Sequence, residues 1–392
     1  MWHAYTIDTM SGLIRSSIDI PSFSWELSVS DSAMQTTKDK GTGEGEASSI
    51  TVPWTAVPAS DAAGRSSALS SVRRGIVLMW HEEEDGDGLG KPIIYGAIGQ
   101  RKDTVLDTSF DLLSPLTLLG NRVAVREGVF GTGGNGQTRG QISYKNLSLR
   151  AIVSDLGRIS TAKPGGGLPI DWSYSGERGP RQRTYYNYNV GNNSCKKLFE
   201  DISNVENGPD IQLRPYLSDS QHVRLRLLAG SESEPYLGQS NLLRLTWPGT
   251  INDLTVDHLG PISRVYATGS GSEEEQIGFL ASDTSLQSMS DPYPLMEEVV
   301  SFSDDDNFNV LKSHAAARLA VDKHPVMQIT ATINVTGKQV IGSLWPGEVV
   351  ELAIDGFPTL PDGVYNQRVM SMRGDESDNI TIIFDVTRDP IY

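Results

Sequence analysis

Apolar residues recur along this chain in short runs, mostly at alternate positions, with glycine and proline between the runs. Trp2, Ala4, Ile18, Ile20, Phe23, Trp25, Leu27 and Val29 mark strand faces near the N-terminus. Three further strands are predicted at 75–80, 92–101 and 104–112. The same succession returns at 347–352, 363–373 and 379–386. Each set is a short apolar strand, a turn, a second strand ending in a basic residue and an acidic turn (Asp103; Asp375), then a third run closing in Phe-Asp. Two related β-modules at opposite ends of one chain point to an assembly part, because no reaction needs that duplication.

Between the modules the period changes. Ser114-Pro115 places a capping hydroxyl before a proline at the first helical position, which predicts a helical turn over 116–122. Leu147, Leu149, Ile152, Val153, Leu156 and Ile159 stand close to helical spacing, so 146–160 is predicted as a helix, stopped by the glycines of 165–167. Residues 181–190 read as a strand. Ser194 caps a helix through Val205 whose apolar side is Leu198, Phe199, Ile202 and Val205. A hairpin is expected from 210–216 and 223–228, and short strands at 242–247, 262–268 and 299–302, with 269–275 as a hairpin tip. Asp304, Asp305 and Asp306 would open the longest helix at its positive end. Its expected buried stripe is Phe308, Leu311, Ala315, Leu319 and Ala320, ended by Lys323-His324-Pro325. Residues 31–49 and 131–140 are polar and Gly-rich and read as mobile loops. Residues 59–72 are Ala/Ser-rich without a dominant period.

The length of 392 residues allows two to four compact units, and 39 Gly with 20 Pro mark many turns, which favours a β-rich fold. A net charge of −16 argues against wrapping duplex DNA, where Lys and Arg must neutralise phosphates. One cysteine, Cys195, excludes an intramolecular disulfide and points to a reducing compartment. The first residues carry no basic region followed by a long apolar core, so no secretory signal is expected there. The longest apolar run, 76–80, is too short for a membrane span.

The order barrel, α+β insert, long helix, second barrel resembles the phage tail hub, or baseplate hub, proteins, called tail-associated or minor tail proteins in actinobacterial siphophages. The residues that carry the resemblance are the 304–325 helix, the strand 329–335, then Trp345-Pro346-Gly347-Glu348-Val349-Val350-Glu351-Leu352 and Asp362-Gly363-Val364-Tyr365-Asn366-Gln367-Arg368. The helix containing 197–202 with its trailing Pro-containing hairpin resembles the family's middle domain. The resemblance implies a β-rich α+β fold: two tail-tube-like antiparallel β-barrel domains with α+β domains between them. The expected domains are 1–113 (N-terminal barrel), 114–230 (α+β), 231–325 (second α+β, ending in the long helix) and 326–392 (C-terminal barrel). It implies a structural virion protein, a homotrimer at the tip of a long non-contractile tail, made in the host cytoplasm. Its partners would be the distal tail protein ring, the tape measure protein and tail fibre or tip proteins. Genomic DNA would pass through without specific binding. Two alternatives stand beside it: a distal tail ring protein, and a glycan-binding or peptidoglycan-cleaving tail-tip protein.

Catalytic signals are weak. Gly131, Gly133 and Gly136 match G-x-G-x-x-G, but no helix start follows, so a plain loop is expected. Asp85 and Asp87 resemble half a calcium loop, yet its twelfth position is Gly96 instead of Glu. The six histidines show no paired metal spacing, and no G-x-S-x-G elbow occurs. Cys195 is expected to pack at a helix start. No catalytic residue, cofactor or metal is assigned. Arg178, Arg181 and Arg183 with Tyr185, Tyr186 and Tyr188 form one basic–aromatic cluster. Cations interleaved with rings suit single-stranded nucleic acid, but Arg and Tyr are also enriched in protein interfaces, and an inter-subunit or ring contact is the expected use.

Overall fold

Alternation in the first 113 residues becomes a six-stranded antiparallel sheet in the computed structural model, which describes residues 1–29, 35–37, 50–82, 88–205, 208–238, 243–302, 307–335 and 341–388. The elements there are β1 (Trp2–Asp8), β2 (Ile14–Ile18), β3 (Ser24–Val29), β4 (Gln35–Thr37), β5 (Ile50–Pro53), α1 (Ala62–Ala68), β6 (Arg74–Trp80), β7 (Lys91–Asp103) and β8 (Asp107–Leu113). The sheet runs β2-β1-β6-β7-β8-β5. The Ala/Ser-rich stretch is helical in part because Asp61 accepts from the Gly64 N–H at 2.6 Å and caps α1. Of the expected loop at 31–49, only β4 is described, and it pairs with β3 as a strand. The remainder, with the acidic residues 83–87 and 304–306, lies outside the described residues.

A second, nine-stranded sheet is built mostly from the C-terminal third. It uses β14 (Arg244–Trp247) and β15 (Ile251–Leu259), then β19 (Val326–Asn334), β20 (Val349–Ile354), β21 (Gly363–Asp375), β22 (Asn379–Phe384) and β23 (Thr387–Arg388). The order is β14-β20-β21-β22-β19-β15, with β23 on β19. β3, from the other end of the chain, pairs antiparallel with β21 and brings β4 with it. Trp25 faces Gly374 in that pairing, where the missing side chain leaves room for the indole, and its Nε1 donates to the Asp375 carbonyl at 3.3 Å.

One unit occurs in both sheets. β5 to β8 lie in the order β6-β7-β8-β5, and β19 to β22 in the order β20-β21-β22-β19, with every neighbouring pair antiparallel. β7 and β21 are each 13 residues long. Each pairs with the preceding strand over its first half and with the following strand over its second. The change of partner falls at Ala97 and Val369, and a β-bulge follows at once in both. Outside the unit the sheets differ: β1 runs antiparallel to β6, whereas β14 runs parallel to β20.

The sheets share a core. Ile76, Leu78 and Trp80 of β6 join Trp25, Leu352 and Phe384 in one buried cluster. Trp2 stands at the seam, its ring 5.2 Å from Trp80, 5.4 Å from Trp25 and 5.9 Å from Phe23. The intervening residues of β6, Val77 and Met79, point the other way into a second core. A strand covered on both faces has no polar face, which is why 76–80 is an unbroken apolar run.

That second cover is an α+β insert: α2 (Pro115–Gly120), β9 (Gln141–Leu147), α3 (Leu149–Thr161), β10 (Ile170–Asp171), β11 (Arg181–Tyr186), α4 (Cys195–Ser203), β12 (Ile211–Asp219) and β13 (His222–Ala229). Ser114, Ser148 and Ser194 each accept a hydrogen bond from the backbone N–H three residues on, at 3.1, 3.2 and 3.3 Å, and so start α2, α3 and α4. Leu119, Ile152 and Phe199 pack against Val77, Met79 and Tyr95 of the first sheet.

A third, smaller core lies between α5 (Phe308–Asp322) and the sheet β17-β16-β18, where β16 is Arg264–Thr268, β17 Gly278–Ser282 and β18 Glu297–Ser301. Asn307 caps α5, with its Oδ1 accepting from Asn309 N at 2.9 Å. The buried stripe is narrower than expected: Leu311, Ala315 and Leu319 are buried, while Phe308 and Ala320 are exposed. The satellite sheet offers only a thin apolar strip, and one residue per turn suffices to cover it.

Candidate functional site

β11 pairs with β9 as a two-stranded ribbon, so its residues alternate between faces. Arg181, Arg183 and Tyr185 fall on one face and Tyr186 on the other. Arg181 is half-buried and pairs with Glu232 at 2.9 Å. Arg183 donates to the Gln182 carbonyl at 3.0 Å. Tyr185 packs edge-on to Tyr144 at 6.3 Å between centroids, and burial pushes its hydroxyl up to about 12. Tyr186 and Tyr188 are 43% and 68% exposed and stack on each other at 5.1 Å. Arg178 is exposed and bridges to Leu147. Arg181, Arg183, Tyr185 and Tyr186 thus share one strand, with Arg178 before it and Tyr188 in the turn after it, and the six are divided between an anchored side and an open side.

The other chemical candidates have structural explanations. Residues 131–136 turn through a short 3₁₀ segment at Gly134–Gly136 and run into β9, with no helix to meet a phosphate. Cys195 is buried in the first turn of α4, where its Sγ accepts from Ser160 Oγ at 3.7 Å. Desolvation raises its thiol to about 12, which leaves no thiolate to act as a nucleophile. Among the described residues no group of three or more His, Cys, Asp or Glu side chains could hold a metal. Among the described residues no helix is long and apolar enough to cross a membrane.

A buried polar cluster went unread in the sequence. Asp210, fully enclosed, receives Arg368 Nη2 at 2.6 Å and the Leu237 N–H at 3.0 Å. Arg214 of β12 pairs with Glu348 at 2.8 Å, donates through Nε to Gln212 at 2.7 Å and lies 5.1 Å over the Trp345 ring. Gln212 Nε2 in turn donates to the Pro346 carbonyl. Burial pushes the Asp210 carboxyl up, opposed by the Arg368 charge, and pushes the Arg214 guanidinium down, opposed by Glu348. These groups tie β12 of the insert to β20 and β21. Glu348 and Arg368 belong to the two C-terminal segments singled out above, but their partners are more than a hundred residues away and no local spacing reveals them.

Two surface features remain. At one end of the first sheet an open groove of about 270 Å³ is lined by Trp2, Tyr5, Ile20 and Phe23, with His3, Ser17 and Asp19 also on its walls. At the other end the turn between β7 and β8 exposes Val105 and Leu106, 94% and 78% accessible.

No family model and no curated protein matches the sequence. Solved structures do align along its length. A tail protein from Neisseria meningitidis matches over 100% of this chain and 98% of its own, at 12% identity and a TM-score of 0.47. The 43 kDa tail protein of prophage MuSo2 from Shewanella oneidensis matches over 99% and 98%, at 10% identity and a TM-score of 0.49. A prophage tail protein from Listeria monocytogenes matches over 99% and 96%, at 10% identity and a TM-score of 0.42. The similar structures include phage tail and baseplate proteins, and a type VI secretion system component from E. coli.

Proposed function

We propose that this chain is a structural virion protein that forms a trimeric hub at the tip of a long non-contractile phage tail. The observation that carries the reading is the four-strand unit, present twice with one strand order and one set of directions. Three chains supply six such units, enough to face a sixfold ring of distal tail protein while presenting threefold symmetry to tip proteins. On this reading each unit is the open part of a tail-tube-like barrel. The tape measure protein meets the inner side, and the hub closes the channel until DNA leaves. A net charge of −16 suits a channel that lets DNA slide without holding it. The ion pairs from β12 to β20 and β21 keep the insert and the second unit in fixed relation, as a symmetry adaptor requires.

Mass measurement of the native oligomer and imaging of an intact tail tip test this. Trimers and a threefold density at the tip are expected. Hexamers alone would replace the hub by a distal tail ring protein.

The exposed Tyr186–Tyr188 stack favours a second reading, a glycan-binding tip protein, because exposed rings offer apolar faces with polar edges to a sugar. Binding to purified cell-wall glycan that is lost in Tyr188→Ala, with the oligomer unchanged, would support it. Release of soluble glycan fragments would add hydrolysis to the reading.

A further inference from the structure

We propose that copies of this chain meet head to tail, with the β7–β8 turn of one copy seated in the groove beside Trp2 of the next. This rests on the subunit reading above and adds where subunits touch.

The turn is built to project. Thr104 Oγ1 donates to Asp107 Oδ1 at 2.7 Å and accepts from the N–H groups of Leu106 and Asp107 at 3.2 and 3.1 Å. Trp54 braces it from outside, its backbone N–H donating to the Leu106 carbonyl at 3.0 Å and its Nε1 to the Thr104 carbonyl at 2.9 Å. Val105 and Leu106 are therefore held in place while almost wholly in water. Two rigid apolar side chains give up little entropy when a partner covers them. The matching turn of the second unit does the opposite. It carries Glu376, Ser377 and Asp378 and folds onto its own chain, with Glu376 accepting from the Phe23 N–H at 3.3 Å and the Asp378 carbonyl from the Val335 N–H at 2.8 Å.

The groove fits this turn. Its volume of about 270 Å³ is room for two aliphatic side chains and lies at the low edge of the ~300–1,000 Å³ typical of ligand pockets. It sits where the turn of its own chain cannot reach. Trp2 pairs with Trp80, and Trp80 with Lys91, the first residue of β7, whereas the turn follows Asp103, the last. Thirteen extended residues separate the two by up to about 40 Å. A neighbour shifted along the strand direction brings turn to groove. One charge pair favours the contact: Lys102 beside the turn and Asp19 on the groove wall have no ion-pair partner among the described residues and carry opposite signs, while Asp107 of the turn is held by Thr104. Two side chains bury far less than the roughly 1,000 Å² of a stable interface, so this contact is one of several in a closed ring and weak by itself. A head-to-tail contact of this kind closes when the rotation between copies is a whole fraction of a turn.

Cysteine cross-linking tests it, because Cys195 is the one native cysteine and is buried. Ser17→Cys and Val105→Cys are made as separate full-length variants, mixed and oxidised with copper phenanthroline. A disulfide-linked dimer is expected in the mixture at least tenfold above either variant alone. Lys102→Glu in the Val105→Cys chain should lower the yield, and Asp19→Lys in the Ser17→Cys chain should restore it. Equal cross-linking of one variant with itself, or no cross-link in the mixture, overturns the proposal. Sedimentation of the wild type in the same buffer separates the two readings. Trimers without the cross-link refute this contact alone, and monomers without it count against the trimeric hub as well.

Discussion

Arg368 and Asp210 meet across 158 positions of sequence, and Asp210 has no access to solvent. Removing one member of such a pair leaves a buried charge without its partner. Arg368→Ala is therefore expected to cost about 3–5 kcal/mol, and the Arg368→Ala/Asp210→Ala double variant less than the single one. Urea denaturation of these variants and of Asp210→Ala checks this, and a double-variant loss equal to the sum of the two single losses would mean the groups are uncoupled. Asp171 behaves in the opposite sense. Hydrogen bonds from Arg224, and then from Tyr216, hold its carboxyl below the usual range. Its contribution is thus fully present above the unfolded value of about 3.9 and is lost as pH falls through the lower folded value. Asp171→Asn should lower the melting temperature at neutral pH, with the gap to wild type closing as pH falls below about 4 and through the lowered folded value. A constant gap across that range would contradict the assignment.

Leu352 and Tyr365 face each other across β20 and β21, and both belong to segments the sequence marks as core strand. The structure separates them. Leu352 is fully buried, whereas Tyr365 is half-buried and donates its hydroxyl to the Pro361 carbonyl at 2.5 Å. Leu352→Asp should prevent folding, since an unpaired charge in that core costs several kcal/mol. Tyr365→Asp should cost less, about 1–3 kcal/mol from the lost hydrogen bond and ring packing. Soluble yield and circular dichroism of the two variants decide it, and equal damage would place Tyr365 deeper than it lies here. Local chemistry made some elements legible in advance. The serine caps of α2, α3 and α4 act within three residues, and the serines stand in the sequence where the helices start. β6, β7 and β8 and their counterparts β20, β21 and β22 were readable for the same reason, as alternation and turns are short-range signals. The cap of α5 went unread: Asn307 stands directly before the helix and accepts from the Asn309 N–H. The placement of β3 was not readable at all. Its alternation fits either sheet, and the choice of β21 is decided by packing around Trp25 and Gly374.

The cores differ in size, and stability should follow. The cluster between the two sheets takes residues from both ends of the chain, while the one under α5 consists of Val265, Ala267, Ala281, Leu311, Ala315 and Leu319. Amides of β16 and α5 are expected to exchange hydrogen well before those of β6 and β7, because few buried contacts hold them. Uniform protection across all four would refute this ranking. The repeated unit was visible as a sequence pattern. The seam that joins its two copies was not, because Trp2, Trp25 and Trp80 give no sign of one another at a distance. That seam has a temporal consequence. β3 leaves the ribosome early, but its pairing partner β21 is synthesised some 340 residues later, so Trp25 and Leu27 wait uncovered for nearly the whole of translation. A prematurely terminated polypeptide keeps that exposed edge, which makes it sticky and short-lived, and only a completely synthesised copy can hide it.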